Sequence, residues 1–283
     1  ATAGQKFVSL DPDTVATEES YEVARLAVGG LLRAIDAVMT GEVDNAFALV
    51  RPPGHHAGAR EAAGFCLFNN VAVGALYATQ KYGLDRVLIV DWDLHHGNGT
   101  QQTFYEDPRV LYFSTHQYPA YPGTGALEET GRGEGSGYTV NVPIRSGADD
   151  AQYVKMYRRI LVPLARSFRP QLVLLSAGFD IYFQDPLGNM RVTPEGFAKL
   201  TRILLSIADE CCGGKLVATL EGGYHVSGLT ASVKTVLQEM RGDTEASEEN
   251  LHELEASADP AIDPLIRRVI DGIRPYWPVF GRS

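Results

Sequence analysis

Short apolar runs alternate with helical patterns along the chain. The runs, which predict strands, cover residues 45–53, 86–93, 109–116, 138–144, 171–180 and 215–224. The helical patterns between them cover residues 19–39, 69–82, 151–168, 194–211 and 228–241. This alternation is typical of an α/β fold in which a mostly parallel β-sheet is flanked by helices on both faces.

Length and composition fit one large domain spanning residues 1–283. The chain has 283 residues, of which 45% are hydrophobic and 21% charged, as is ordinary for a globular protein. The stretch at about 242–260 is acidic and poor in large apolar residues, so we expect a solvated connection or loose helix there. A last helix is predicted at about 262–273.

The charge and cysteine content narrow the class of partner and the compartment. A net charge of -10 argues against direct binding to nucleic acid or to an anionic membrane. No apolar run is long enough to span a membrane, and the stretch "ATAGQKFVSLD" has neither the basic nor the apolar region of a signal peptide. The three cysteines, an odd number, suit a reducing compartment, so a cytoplasmic location is predicted.

Polar side chains gather where the predicted strand 86–93 ends, in "VLIVDWDLHHGNGT". Asp91, Asp93 and His95 alternate, so on an extended backbone they point to the same side. Asp180 ends another apolar run and would supply a third ligand beside Asp93 and His95. Three protein ligands leave an open position, which is the arrangement of a catalytic zinc site. For this stretch alone, a polar junction whose aspartates cap the next helix is an equal alternative.

Other strands also end in polar clusters. "RPPGHHAG" follows the first strand and "EGGYH" follows the last, which places His55, His56 and Tyr224 after strand ends. Because the carboxyl ends of parallel strands share one edge of a sheet, these side chains can reach the same crevice as the three ligand candidates.

Six motifs carry a resemblance to a known family. "RPPGHHA", "GFCLFNN", "DWDLHHGNGTQ", "YPGTG", "SAGFDIYFQDPLG" and "LEGGY" occur in family order and spacing. With them, the chain resembles the zinc-dependent histone deacetylases from about residue 11 to about 241. It resembles especially the class II and bacterial amidohydrolase branch of the arginase/deacetylase superfamily.

The resemblance implies a role for individual residues. It places one catalytic Zn²⁺ on Asp93, His95 and Asp180. It implies catalytic roles for the tandem histidines His55 and His56, their partners Asp91 and Asn98, and a transition-state tyrosine, Tyr224. It implies that the substrate tunnel is formed by Gly64, Phe65, Tyr121 and Leu187.

The resemblance also implies structural K⁺ or Na⁺ ions. Their candidate positions are Asp91, Asp93, His95, Ser114, Phe104, Asp107, Val110 and Tyr138.

The function implied is hydrolytic removal of acetyl or other acyl groups from lysine side chains of proteins or peptides, or from small acylated amines. Alternatives are an acetylpolyamine amidohydrolase, a non-catalytic acyl-lysine binding module and a binuclear manganese ureohydrolase. Leu187 is apolar where the polyamine-selective branch has an acid, which favours acyl-lysine. Tyr224 argues against a binding module, since such a pocket needs no donor to an oxyanion. The oligomeric state stays open.

One departure concerns the N-terminus. Family members carry an N-terminal segment with a first strand and a loop of the substrate rim, and nothing before "FVSLDPDT" supplies it. We therefore expect a short or missing N-terminal segment and an altered rim.

Overall fold

The computed structural model describes residues 6–243 and 246–281. A six-stranded, wholly parallel sheet forms its centre, in the order β3-β8-β7-β4-β5-β6. The predicted α/β fold is confirmed. The strands of this sheet are β3 (Asn45–Ala48), β4 (Val87–Asp91), β5 (Val110–Gln117), β6 (Thr139–Ile144), β7 (Leu172–Ala177) and β8 (Leu216–Leu220), and a separate hairpin pairs β1 (Val8–Ser9) with β2 (Val15–Ala16).

Helices cover both faces of the sheet. Strand β4 shows why both faces need cover: Leu88 and Val90 pack into one apolar core, and Val87 and Ile89 pack into another. Side chains alternate between faces along a strand, so a strand with both faces buried is largely apolar. The helices are α1 (Ser20–Met39), α2 (Asn70–Tyr82), α3 (Asn98–Phe104), α4 (Asp150–Met156), α5 (Val162–Phe168), α6 (Pro194–Cys212), α7 (Val226–Met240), α8 (Glu248–Ser257) and α9 (Asp263–Ile273), with a π-helical turn, Tyr157–Leu161, between α4 and α5.

Several boundaries differ from the sequence-based expectation. The strand expected to reach residue 180 ends at Ala177, and the next residue, Gly178, passes so close to Asp93 that a Cβ at Gly178 would lie 2.1 Å from Asp93 Oδ2. Helix α3 was not predicted. Its polar sequence lacks an apolar stripe, although Phe104 at its end is buried.

In the acidic stretch, for which a solvated connection or loose helix was expected, the described residues include a helix. This helix is α8, where Ser247 Oγ accepts a hydrogen bond from Asn250 N (3.1 Å) at the helix start. Leu251 is buried, and Glu255 accepts a hydrogen bond from Arg158 Nε (2.7 Å). Helix α8 is therefore docked through one apolar residue and buried ion pairing. The final helix, α9, agrees with its predicted position.

The sheet order brings the polar clusters together. The four neighbouring strands β3, β8, β7 and β4 are the ones followed by polar motifs, and all four run in the same direction. Their carboxyl ends therefore form one continuous edge. Over the described ranges, no helix is both long and apolar enough to cross a membrane.

Candidate metal-dependent active site

A possible metal-binding group lies at this edge of the sheet. One ligand atom from each of Asp93, His95 and Asp180 lies within 4.8 Å of the others. His95 Nδ1 is 3.0 Å from Asp180 Oδ2 and 3.2 Å from Asp93 Oδ1. The sequence analysis predicted these same three residues as metal ligands.

Backbone donors hold the two carboxylates in place. Leu94 N donates to Asp180 Oδ1 (2.8 Å), and Gly222 N donates to Asp93 Oδ2 (2.8 Å). The second bond depends on the absence of a side chain, since a Cβ at Gly222 would lie 2.6 Å from Asp180 Oδ2 and 2.7 Å from Asp93 Oδ2. Each carboxylate still has an oxygen next to His95.

The electrostatics of this group favour a cation. Burial and the negative charge of Asp93 together raise the pKa of Asp180 to about 7. Although burial opposes protonation of His95, hydrogen bonds and charge interactions with Asp180 and Asp93 raise its pKa to about 10. Two buried carboxylates this close must share a proton or a positive charge. The O, N, O donor set and its burial therefore fit a divalent metal ion.

The tandem histidines lie beside the metal-binding group in unlike environments. His55 Nδ1 donates to Asp91 Oδ2 (3.0 Å), and His55 Nε2 is 3.7 Å from Asp93 Oδ1. His56 Nδ1 is instead 2.8 Å from the side-chain oxygen of Asn98. The predicted pairing of Asp91 with the first histidine and Asn98 with the second is thus the pairing observed.

These environments separate the two pKa values. Burial alone would lower the pKa of His55, but the charges of Asp93 and Asp91 outweigh it and raise this pKa well above its ordinary value. Burial and the neighbouring charge of His55 lower the pKa of His56 well below its ordinary value. His56 is therefore neutral. Because the Asn98 oxygen accepts from Nδ1, the lone pair of His56 is on Nε2.

A cavity of about 270 Å³ gives access to these groups. The Phe65 ring lies 6.0 Å from the Tyr224 ring and the Tyr121 ring 5.0 Å from that of His56, both edge-on. All four predicted tunnel residues line the cavity, whose walls are formed by Asp13, Pro53, His55, His56, Gly64, Phe65, His95, Tyr121, Leu187, Gly222 and Tyr224.

Tyr224 keeps its proton in this cavity. Burial first, and the charges of Asp93 and Asp180 next, raise the pKa of the Tyr224 hydroxyl far above its ordinary value. The residue is therefore a hydrogen-bond donor at any physiological pH.

The candidate monovalent-ion residues fall into two groups. Asp91 pairs with Ser114 in the β4–β5 register, next to Asp93 and His95. The others lie at the opposite end of β5, where Asp107 N donates to Phe104 O (3.1 Å) and Val110 N to Asp107 O (3.3 Å). Tyr138 O accepts from Tyr112 N, and the Asp107 carboxylate forms an ion pair with Arg109.

Sequence reasoning missed four residues that support the site. The Asp13 side of the β1–β2 hairpin reaches the cavity, and Thr14 Oγ1 accepts from Phe65 N (3.0 Å). Glu221 is fully buried and accepts hydrogen bonds from Gly54 N (2.7 Å) and His55 N (3.2 Å). Asp185 accepts from the backbone next to Tyr224. Glu221 lies in the family motif "LEGGY" and Asp185 in "SAGFDIYFQDPLG", and this position could have indicated their importance.

Comparison with known proteins shows the family to which the chain belongs. The histone deacetylase domain model matches residues 2–240, so the chain belongs to that family. The crystal structure of the HDA15 HD domain superimposes with a TM-score of 0.88 at 42% identity, covering 97% of this chain and 74% of that one.

Curated relatives are close in sequence but longer. A probable deacetylase of Archaeoglobus fulgidus is 47% identical, over 77% of this chain and 61% of the relative. Histone deacetylase 15 of Arabidopsis thaliana is 45% identical over 94% and 48% respectively. The polyamine deacetylase HDAC10 of Homo sapiens is 50% identical over 79% and 34%. The chain thus spans about a third to three fifths of the length of these relatives.

Proposed function

We propose that this chain is a zinc-dependent amidohydrolase that removes acetyl or other acyl groups from lysine side chains. One observation carries the proposal. A neutral imidazole, a protonated tyrosine hydroxyl and His95 of the three-ligand metal-binding group line the same aromatic-walled cavity. A non-catalytic binding module would have no need for this combination.

Asp93, His95 and Asp180 would hold the metal ion. When bound, zinc polarises a carbonyl group and lowers the pKa of water. With three protein ligands the set leaves a position open, as catalytic zinc sites do. A binuclear manganese site needs further bridging carboxylates. In the described part of the chain, only this cluster has three His, Cys, Asp or Glu ligand atoms close enough together to hold a metal ion.

His56 would act as the general base and then as the general acid. Its neutral state and the lone pair on Nε2 allow it to take a proton from the attacking water. It would return that proton to the lysine nitrogen as the amide bond breaks. His55, held protonated between Asp91 and Asp93, would keep His56 neutral by charge repulsion and orient it by contact, with ring centres 4.1 Å apart.

Tyr224 would donate its hydroxyl hydrogen to the oxyanion that forms at the carbonyl carbon. A donor of this kind is worth about 3 to 4 kcal/mol in the transition state. The raised pKa of Tyr224 ensures that the donor is present at neutral pH.

The cavity walls favour an unbranched aliphatic chain that carries the amide. Phe65 and Tyr121 offer aromatic surfaces on the path to the metal-binding group, and Leu187 adds an apolar residue. The methylene groups of an acyl-lysine side chain would bury apolar area against these rings.

Acetylpolyamine hydrolysis is a second candidate, favoured by one observation. The Asp13 carboxylate lines the cavity, and the charges of Asp11 and Asp13 add to burial in raising the pKa of Tyr121. A carboxylate there would attract a second amine of the substrate, and one relative is named a polyamine deacetylase. Leu187 supplies no such charge.

Monovalent cations are part of the same proposal, with Asp91 and Ser114 next to the active site as the first candidates. The cytoplasmic location stays a prediction.

A turnover screen tests the proposal. Acetyl-lysine peptides, longer acyl-lysine peptides and acetylspermidine are offered to one zinc-loaded preparation, and the released amine is measured. We expect activity on acetyl-lysine, loss of at least 1,000-fold in Asp180→Ala, and unchanged rates in Asp44→Ala, an exposed carboxylate. Faster turnover of acetylspermidine that depends on Asp13 would favour the second candidate. No hydrolysis of any acyl amine would contradict the proposal.

A further inference from the structure

A buried carboxylate outside the metal-binding group joins two parts of the cavity wall. Asp185 is 6% exposed. Its Oδ2 accepts hydrogen bonds from Tyr224 N (2.7 Å) and His225 N (3.1 Å), and its Oδ1 accepts one from Leu187 N (3.0 Å). Over the described residues, no Lys, Arg or His forms an ion pair with it. Among the described residues, backbone N–H groups therefore provide the hydrogen bonds that stabilise the Asp185 carboxylate.

Two glycines give the backbone before Tyr224 a course that other residues could not follow. Gly223 has a φ of +127°, which side chains rarely adopt, and Gly222 has no room for a side chain. After Tyr224, helix α7 begins, with His225 Nδ1 accepting from Gly228 N (2.9 Å). Between the two glycines and the helix, the peptide of Tyr224 is held by its bond to Asp185.

We propose that Asp185 is a positioning residue, whose carboxylate fixes the Tyr224 peptide so that the tyrosine hydroxyl points at the reacting carbonyl. The inference rests on the proposed role of Tyr224. Hydrogen bonds to a charged acceptor are about twice as strong as neutral ones, and two of them act on adjacent amides. A misplacement of about 1 Å at a reacting group can cost about 100-fold in rate.

The third hydrogen bond extends this role to the cavity mouth. Leu187 lines the cavity two residues after Asp185, and its N–H bonds to the other oxygen of the same carboxylate. Residues at the mouth and the hydroxyl donor are thus fixed relative to one another by a single side chain.

Asp185→Asn tests the proposal with little change of shape. The amide keeps one oxygen but presents an NH₂ group to backbone donors, so it cannot accept all three bonds. We expect kcat on an acetyl-lysine peptide to fall by about 10- to 100-fold while KM changes less than about threefold. The matched control is Asp150→Asn, which alters a carboxylate bonded to Thr193 N (2.8 Å) and is expected to keep kcat.

A double-mutant cycle distinguishes positioning from general loosening. If Asp185 acts through the tyrosine hydroxyl, Asp185→Asn costs less than about twofold in a Tyr224→Phe background. An equal loss in both backgrounds, or an equal loss in Asp150→Asn, would overturn the inference. If Asp185→Asn fails to fold, Asp185→Glu, which keeps the charge on a longer side chain, is taken through the same cycle.

Amide hydrogen exchange provides a readout without turnover. In Asp185→Asn, the amides of Tyr224 and His225 should exchange at least about tenfold faster, with β7 and β8 unchanged. Unchanged exchange at both amides would refute the positioning role even if the wild type hydrolysed no acyl amine. Absence of hydrolysis by the wild type would contradict only the proposed function, and not the positioning role of Asp185.

Discussion

Replacing Gly222 by Ala should damage the metal-binding group without damaging the fold. Gly222 does not have a positive φ, so alanine is compatible with its backbone, and only space is at issue. The new Cβ would lie 2.6 Å from Asp180 Oδ2 and 2.7 Å from Asp93 Oδ2, where ordinary contacts begin at 3.4 Å. Each oxygen must therefore retreat by roughly 0.7 Å, whereas metal sites tolerate about 0.2 Å.

The cost in metal affinity follows from this displacement. Changes to residues that only orient ligands cost 10- to 100-fold, so direct displacement of two ligands should weaken zinc binding at least about 100-fold, or about 2.7 kcal/mol. Competition with a chromophoric chelator measures the Kd. Gly29→Ala is the control, because nothing lies within 4 Å of its Cβ. A folded Gly222→Ala protein with wild-type zinc affinity would show that Asp93 and Asp180 are not the ligands.

Three further predictions concern Tyr224, Asn98 and Glu221. Tyr224→Phe should lower kcat by about 100- to 1,000-fold with little change in KM or Tm, measured by steady-state kinetics and thermal melting. Asn98→Asp places a carboxylate at His56 Nδ1 and raises the pKa of His56; since the base must be neutral, the acidic limb of the kcat/KM profile should move to higher pH. Burial raises the pKa of Glu221 to about 7 from an ordinary 4.5. The folded state then holds this proton more tightly than the unfolded state, so Glu221 alone should cost the metal-free protein about 3 kcal/mol of stability between pH 4.5 and 7, and Glu221→Gln should remove that contribution, leaving a shallower slope in urea melts.

The fold and the ligand candidates could be predicted because local pattern determines them. Strands buried on both faces are largely apolar, so the charged residues from Asp91 onward mark the end of β4. Parallel direction then brings Asp93 and Asp180 to one edge although 87 residues separate them along the chain.

The supporting groups could not be predicted in the same way. Asp185 resembles a turn residue before a proline, and only the folded chain brings Tyr224 N within 2.7 Å of it. The different pKa values of His55 and His56 depend on burial in the folded chain and, for His55, on Asp93 and Asp91, which are distant in sequence. A loose helix was one expectation for the stretch that forms α8, but its docking could not be predicted because it depends on Leu251 and on ion pairs with Arg158, which is distant in sequence.

The proposal of a single catalytic zinc ion per chain is tested by titrating metal-free protein with zinc. Acetate release from an acetyl-lysine peptide is followed during the titration. We predict that activity rises to a plateau at one zinc per chain, and that Asp180→Ala stays inactive over the same range of zinc concentration. A plateau at two metal ions per chain, or wild-type turnover by Asp180→Ala, would contradict a single catalytic metal ion held by Asp93, His95 and Asp180.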